Sequence, residues 1–251
     1  VADELVAIFA MHVAGDRDGR AALLHDDGVA VAKLRACDLA VKQEVVEVDG
    51  GYRAAVAHDA DLTVAAEILV DEVRDVICPV KVRTGRWEEI IRQAHGLGLR
   101  SSATIMYGST ESCHERSRHL DLIRRIQDDT HGFTEMVLLT YIHQKTPLHQ
   151  EGKVQFGPTG RDDLVTTAVC RLYLDNFDNI QVSWPKIGIK MSQIGLIAGA
   201  DDLSGTMFVD DVTGDAGAGM EEIFSPEEMH HICQDIGRTL RERTTLYEYI
   251  T

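Results

Sequence analysis

A chain of 251 residues that is 44% hydrophobic is long enough to bury one large core, and no apolar run approaches the roughly 18 residues that would span a bilayer. The formal net charge of −16 argues against a nucleic-acid partner, because that binding rests on Lys and Arg neutralising phosphates. Asp3, Glu4, Asp16 and Asp18 crowd the first residues, where a secretory signal would need a basic and then an apolar stretch, so a soluble cytoplasmic protein with no membrane partner is expected.

Only seven residues are Lys, and an acidic, Lys-poor surface suits solubility in high salt; an ordinary acidic protein is the alternative. The five cysteines, Cys37, Cys78, Cys113, Cys170 and Cys233, are odd in number and scattered, with no C-x-x-C spacing. Buried free thiols fit that pattern better than a disulfide framework.

In chain order, Ala21 to Val46 reads as helical through Leu23, Leu24, Val31, Leu34 and Leu39. Asp49-Gly50-Gly51 is a turn signal, and Tyr52 to Ala57 a strand. Thr84 can cap a helix that carries Trp87, Ile90 and Ile91 and is stopped by Gly96 and Gly98. Leu99 to Tyr107 reads as a strand. Ser112 and Glu115 form a capping-box pattern before a helix with Leu120, Ile123 and Ile126 on one face, ended by Gly132. Phe133 to Tyr141 is a near-continuous apolar run suited to a buried parallel strand. Asp162 to Leu174 is helical, Ile180 to Trp184 a short strand, Ile187 to Ala198 a helix stopped by Gly199, and Asp202 to Phe208 another strand. Ser225-Pro226-Glu227-Glu228 opens a last helix that runs to about Gly237. Strands and helices in alternation mean parallel βαβ units, with about four strands after Thr84.

Several blocks, in this order, resemble the second subunit of FO synthase, a radical SAM family. They are Ala66-Glu67-Ile68-Leu69, Ser102 to Glu111, Gly132-Phe133-Thr134-Glu135, Asn179 to Trp184, Gly199 to Thr206, and Ile236-Gly237-Arg238-Thr239 with Arg243-Thr244-Thr245-Leu246-Tyr247. The related menaquinone-pathway enzymes share the middle blocks, whereas Tyr141-Ile142-His143 with Thr146-Pro147-Leu148 and Ser183-Trp184 with Lys186 tilt toward the deazaflavin branch. The resemblance implies an α/β fold: the C-terminal half of a (β/α) TIM-type barrel over residues 63–251, preceded over 1–62 by a short helical segment with one strand. It places an internal deletion near Leu62 to Val64.

The implied activity joins L-tyrosine to 5-amino-6-(D-ribitylamino)uracil in coenzyme F-420 biosynthesis, through a 5′-deoxyadenosyl radical cut from S-adenosylmethionine (SAM) at a [4Fe–4S] cluster. That family holds its cluster on a C-x-x-x-C-x-x-C loop, and this sequence contains no such spacing. The cluster is therefore not expected to bind this chain, which is expected to be inactive alone. A non-catalytic partner of an intact paralogue, self-association through open sheet edges and a decayed gene product are the alternatives.

By resemblance, Tyr107, Gly108 and Glu111 lie at the SAM site, with Ser109 standing where the family has His. A plain strand-to-helix turn explains Gly108 equally well. Glu135 interrupts an apolar strand, so it grips a substrate amine or ribityl hydroxyl, or pairs with a neighbouring Arg. His143, Gln181, Ser183, Trp184 and Asp202 fall at or near strand ends as further substrate candidates, although Trp184 is more often core, and Pro185 is expected to distort the strand end. His230-His231-x-Cys233 reads as a solvated helix face, Cys113-His114 likewise, and Gly214 to Gly219 as a flexible loop. No metal site is assigned.

Overall fold

The computed structural model describes residues 44–48, 52–56, 65–205, 224–244 and 247–250. β1 (Glu44–Val48) and β2 (Tyr52–Val56) form an antiparallel hairpin, with Glu44 opposite Val56 and Val48 opposite Tyr52. The helix expected as far as Val46 is thus overturned at its end, where the β-branched run Val45-Val46 favours a strand. Residues 21–43 of that helix, the turn at Asp49 to Gly51 and the loop at Gly214 to Gly219 lie outside the described residues.

The rest alternates helix and strand. α1 (Asp71–Ile77) and α2 (Thr84–Gly96) precede β3 (Ser101–Tyr107), α3 (Cys113–Thr130) and β4 (Phe133–Thr140). α4 (Pro147–Gln150), α5 (Gly160–Tyr173), β5 (Ile180–Val182), α6 (Trp184–Ile187), α7 (Ile189–Ala198) and α8 (Pro226–Asp235) follow. β3, β4 and β5 lie side by side, all parallel, with Tyr107 beside Thr140 and Leu138 beside Val182. Beyond β3, Met106 N donates to Glu67 O; beyond β5, Asp202 forms a parallel bridge to Gln181. The strand expected from Asp202 is therefore one bridge among the described residues, its partner row ending where residue 206 leaves them. The architecture is α/β.

Local chemistry explains most boundaries. Ser112, Thr159 and Ser225 each close a complete capping box, with Glu115, Asp162 and Glu228 as the returning acids. Thr84 does not cap: it is the first helical residue, and its N–H donates instead to the Asp71 carboxylate at 2.8 Å, a charged acceptor supplied by α1. α3 ends one residue earlier than expected, at His131 in the left-handed region (φ 50°). Gly132 serves a different need, since a Cβ there would sit 2.1 Å from Cγ of His95. β5 stops at Val182 because Pro185 pre-sets the first turn of α6, so Trp184 is helical and not the end of a strand. Gly188 (φ 77°) then separates α6 from α7, which begins at Ile189 instead of Ile187.

Strand alternation sorts the sheet's two faces. Ala103, Ile105 and Tyr107, Met136 and Leu138, and Ile180 and Val182 are buried in one core with Ile123, Ile126, Cys170 and Leu196 of α3, α5 and α7. Ser102, Thr104, Met106, Glu135, Val137, Leu139 and Gln181 point to the opposite, half-buried face. Arg74 is buried as a clamp, donating to the carbonyls of Ala66, Ile68 and Val82 and so fixing the segment that runs beside β3.

Candidate functional site

The half-buried face carries a polar cluster around Asp202. Gln181, on β5, donates from Nε2 to Asp202 Oδ1 at 3.1 Å, and Ser204 N donates to the same oxygen at 2.8 Å. The other carboxylate oxygen receives Arg243 Nε, whose guanidinium lies 3.9 Å from the centre of the Tyr247 ring. Tyr247 holds a left-handed backbone (φ 65°), unusual for a bulky residue and a sign of local strain. Burial works against the Arg243 charge and the Asp202 ion pair outweighs it.

Glu135, on β4, faces this group. Burial pushes its carboxyl above the usual range, with a contact to Thr134 and the Arg243 charge pulling the other way and Asp202 adding to the rise. Its Oε2 and the Tyr247 hydroxyl are both buried without a hydrogen-bond partner. The Tyr247 phenol is held protonated, first by burial and then by the Asp202 and Glu135 charges. One guanidinium thus pairs with Asp202 and lies in the field of Glu135, and two buried oxygens are left with unused hydrogen-bonding capacity. Such a group can accept an N–H or O–H of a ligand at Glu135 and donate to it from Tyr247.

The other sequence-predicted residues sit elsewhere, around the carboxyl ends of the strands. Glu111 has no exposed side-chain surface: its carboxylate accepts from Gly108 N, Ser109 N, Ser109 Oγ and Arg116 Nε, closing the turn between β3 and α3. Gly108 (φ 90°) lets Pro158 pack against that turn, since a Cβ would lie 2.4 Å from Pro158 Cγ. The Tyr107 hydroxyl donates to Asp163 Oδ1 at 2.7 Å on the helix side, and Thr140 Oγ1 donates to the same oxygen. His143 packs edge-on against His149 at 5.1 Å, near Gly157. Ser183 is buried at the start of α6. Trp184 is only 4% exposed, its indole N–H bound to Gly205 O and its ring edge-on to Phe224. The structure therefore brings Glu135, Gln181 and Asp202 together, and sets Tyr107, Gly108 and Glu111 in a separate turn. Arg243 and Tyr247 complete the cluster; their only signal in the sequence was membership of the final family-like block.

Among the described residues the cysteines and histidines form no metal-ligating cluster. Cys78, Cys170 and Cys233 are buried separately and Cys113 is exposed; burial pushes the Cys170 thiol up to about 12. His230 and His231 are exposed while Cys233 turns into the core, so the solvated-face expectation holds for the two imidazoles and is corrected for the thiol. Among the described residues no three His, Cys, Asp or Glu side chains converge as metal ligands. Three clustered thiolates are what an iron–sulfur cluster with one open iron requires, and the described thiols do not fit it. Among the described residues, no helix is long and apolar enough to cross a membrane.

Comparison with known proteins bears on this arrangement. Residues 130–251 match the family described as the CofH/MqnC C-terminal region. A Methanoculleus marisnigri protein named 5-amino-6-(D-ribitylamino)uracil–L-tyrosine 4-hydroxyphenyl transferase is 57% identical over 183 residues, covering 73% of this chain and 50% of the relative. A protein of the same name from Methanothermobacter thermautotrophicus is 44% identical over 187 residues, 74% of this chain and 51% of the relative. One from Methanopyrus kandleri is 38% identical over 226 residues, 90% of this chain and 61% of the relative. The chain spans about half the length of the Methanoculleus and Methanothermobacter relatives and 61% of the Methanopyrus one.

Proposed function

We propose, from the match of residues 130–251 to the CofH/MqnC C-terminal region and the likeness to the named transferases, that the chain is the substrate-side part of an FO synthase subunit 2. In this reading residues 63–251 are a partial TIM-type barrel of the radical SAM kind, and residues 1–62 derive from the family's leading segment. The alignment to the Methanopyrus kandleri relative supports this, because it takes in more residues than lie beyond position 64. The working compartment is the cytoplasm.

The observation that carries the proposal is the pair of unpartnered buried oxygens on Glu135 and Tyr247, set against the Asp202–Arg243 ion pair. L-Tyrosine and 5-amino-6-(D-ribitylamino)uracil both present amine and hydroxyl hydrogens that such acceptors bind. Glu135 accepts from an amine or ribityl hydroxyl, Tyr247 donates to a substrate oxygen, and Gln181 and Arg243 hold Asp202 in place. His143, Ser183 and Trp184, apart from this cluster near the carboxyl ends of the strands, would meet a part of the substrate that extends beyond it. Gly108 offers the backbone approach that a SAM-facing turn needs, with Tyr107 and Glu111 fixing its shape. In the family, SAM and the cluster supply the radical; the described thiols of this chain do not, and no radical step is assigned to it. Three complete capping boxes and a closed core favour a folded protein over a decayed one.

Calorimetric titration of the full chain, free of iron, tests this reading. Ribityl-pyrimidine or tyrosine should bind, and Glu135→Gln should weaken that binding about tenfold, the equivalent of one buried hydrogen bond to a charged group. Absence of binding by the unaltered chain would sink the substrate-side reading. Anaerobic iron and sulfide loading followed by 5′-deoxyadenosine release would sink the view that the chain is inactive alone. Substrate binding that appears only with an intact paralogue would instead mark an assembly partner.

A further inference from the structure

We propose that the chain pairs with a second copy of itself through the outer face of α5 and α7, around a two-fold axis that sets these helices antiparallel across the interface. This is independent of the substrate site, which lies on the other side of the sheet.

Val165 and Val169 (each 44% exposed) and Leu172 (81% exposed) recur at steps of four and three, forming one stripe along α5. Ile194 (40% exposed) and Ile197 (60% exposed) form the matching stripe on α7. The two helices run the same way and side by side. At their starts a Cβ on Gly160 would touch Met191; at their ends Arg171 packs against Gly199 and donates to its carbonyl. The stripes therefore merge into one apolar band, larger than the singly scattered apolar residues normal on a soluble surface.

Charge selects the occupant. The whole chain carries −16, so two copies repel wherever acidic surface meets acidic surface. Between Asp163 and Asp175 the only charge on α5 is Arg171, already paired with Asp201, and α7 carries only Lys190. The band itself thus carries no acid, with Asp201, paired to Arg171, and Asp235, bonded to Gln193, at its margins. Arg161 and Lys190, with Asp162 beside them, leave its amino-terminal end net basic; Asp178 and Asp175, the latter paired with Arg124, leave the region beyond its carboxyl-terminal end net acidic. A two-fold axis across the middle brings the basic end of each copy to the acidic end of the other, and opposes the helix dipoles favourably. A surface complementary to itself under a half-turn is what a closed, isologous dimer requires.

Sedimentation equilibrium of the full chain, at low and high salt, provides the test. A monomer–dimer equilibrium that tightens as salt rises is expected, because screening relieves the acidic repulsion while apolar burial is retained. Leu172→Glu and Ile197→Glu should each raise the dimer dissociation constant at least about tenfold, the loss of one good apolar contact made worse by a buried charge. The far-ultraviolet spectrum should be unchanged, and so should the melting curve at concentrations where both proteins are monomeric. If either variant misfolds, Leu172→Ser and Ile197→Ser replace them with the same expectation in direction. A monomer at every concentration, open-ended polymers, or a dimer indifferent to both substitutions would overturn the proposal.

Discussion

His119 shows how one side chain couples the core to pH. Its Nδ1 accepts from Leu69 N at 3.1 Å, so the ring is neutral with its proton on Nε2, which is buried without a partner. Burial pushes its pKa down to about 3, with the nearby Arg74 charge in the same sense and a backbone contact at Thr104 opposing. In the unfolded chain the ring titrates near the ordinary value of 6.5. Below that pH the unfolded state takes up a proton that the folded state refuses. The stabilisation is therefore complete above pH 6.5 and falls as pH drops toward 3, by at most about 1.4 kcal/mol per unit. His95, pushed down to about 4 by burial with Arg92 and Arg100, acts in the same direction but more weakly because it is partly exposed. Asp163 and Glu135, raised by burial, act in the opposite direction, so the informative quantity is a difference between two proteins. Urea titrations between pH 7 and 4 should show a shallower loss of stability for His119→Asn, which keeps an acceptor but removes the titration. An unchanged slope would count against the assignment.

At the scale of elements, the helix starts separate signals that local chemistry satisfies from one that a neighbour takes over. Ser112 accepts from Glu115 N and the Glu115 carboxylate returns to Ser112 N, so the box is closed within four residues. Ser112→Ala should cost about 1 kcal/mol and lower the melting temperature by about 2–4 °C, read by calorimetry. Thr84 has the right side chain in the right place, yet its Oγ1 is buried without a partner while Asp71 takes its N–H. Thr84→Ala should accordingly change stability by no more than about 0.5 kcal/mol. Pro185 acts the same way on β5: what reads as a strand through Trp184 becomes the first turn of α6, because proline pre-sets a helical φ and cannot donate to a ladder.

For the molecule as a whole, the acidic balance dominates. The described ion pairs include i,i+3 and i,i+4 contacts such as Arg86–Glu89 and Arg125–Asp121, exposed and individually weak, and they leave most of the negative excess uncompensated. Self-repulsion that salt screens should make the melting temperature climb as sodium chloride is raised toward about 1 M, where the Debye length is only about 3 Å. A flat or falling curve would favour an ordinary acidic protein over a salt-adapted one.

The sequence by itself was sufficient for the family-like blocks, the α/β alternation and the helix starts at Ser112 and Ser225, because these depend on residues a few positions apart. The buried face of α3 is a case in point: Leu120, Ile123 and Ile126 are spaced by helix geometry alone, and all three are buried. Only the tertiary structure decided where the candidate site lies. Asp202 meets Gln181 across 21 residues of chain and Arg243 across 41, and nothing in local spacing announces either contact. It also showed that Glu111 and Tyr107 are occupied by the fold's own hydrogen bonds, whereas Glu135 keeps a buried oxygen unused. Whether a polar side chain is satisfied or open depends on which groups the packed chain brings within about 3 Å of it, and that distance is a property of the fold.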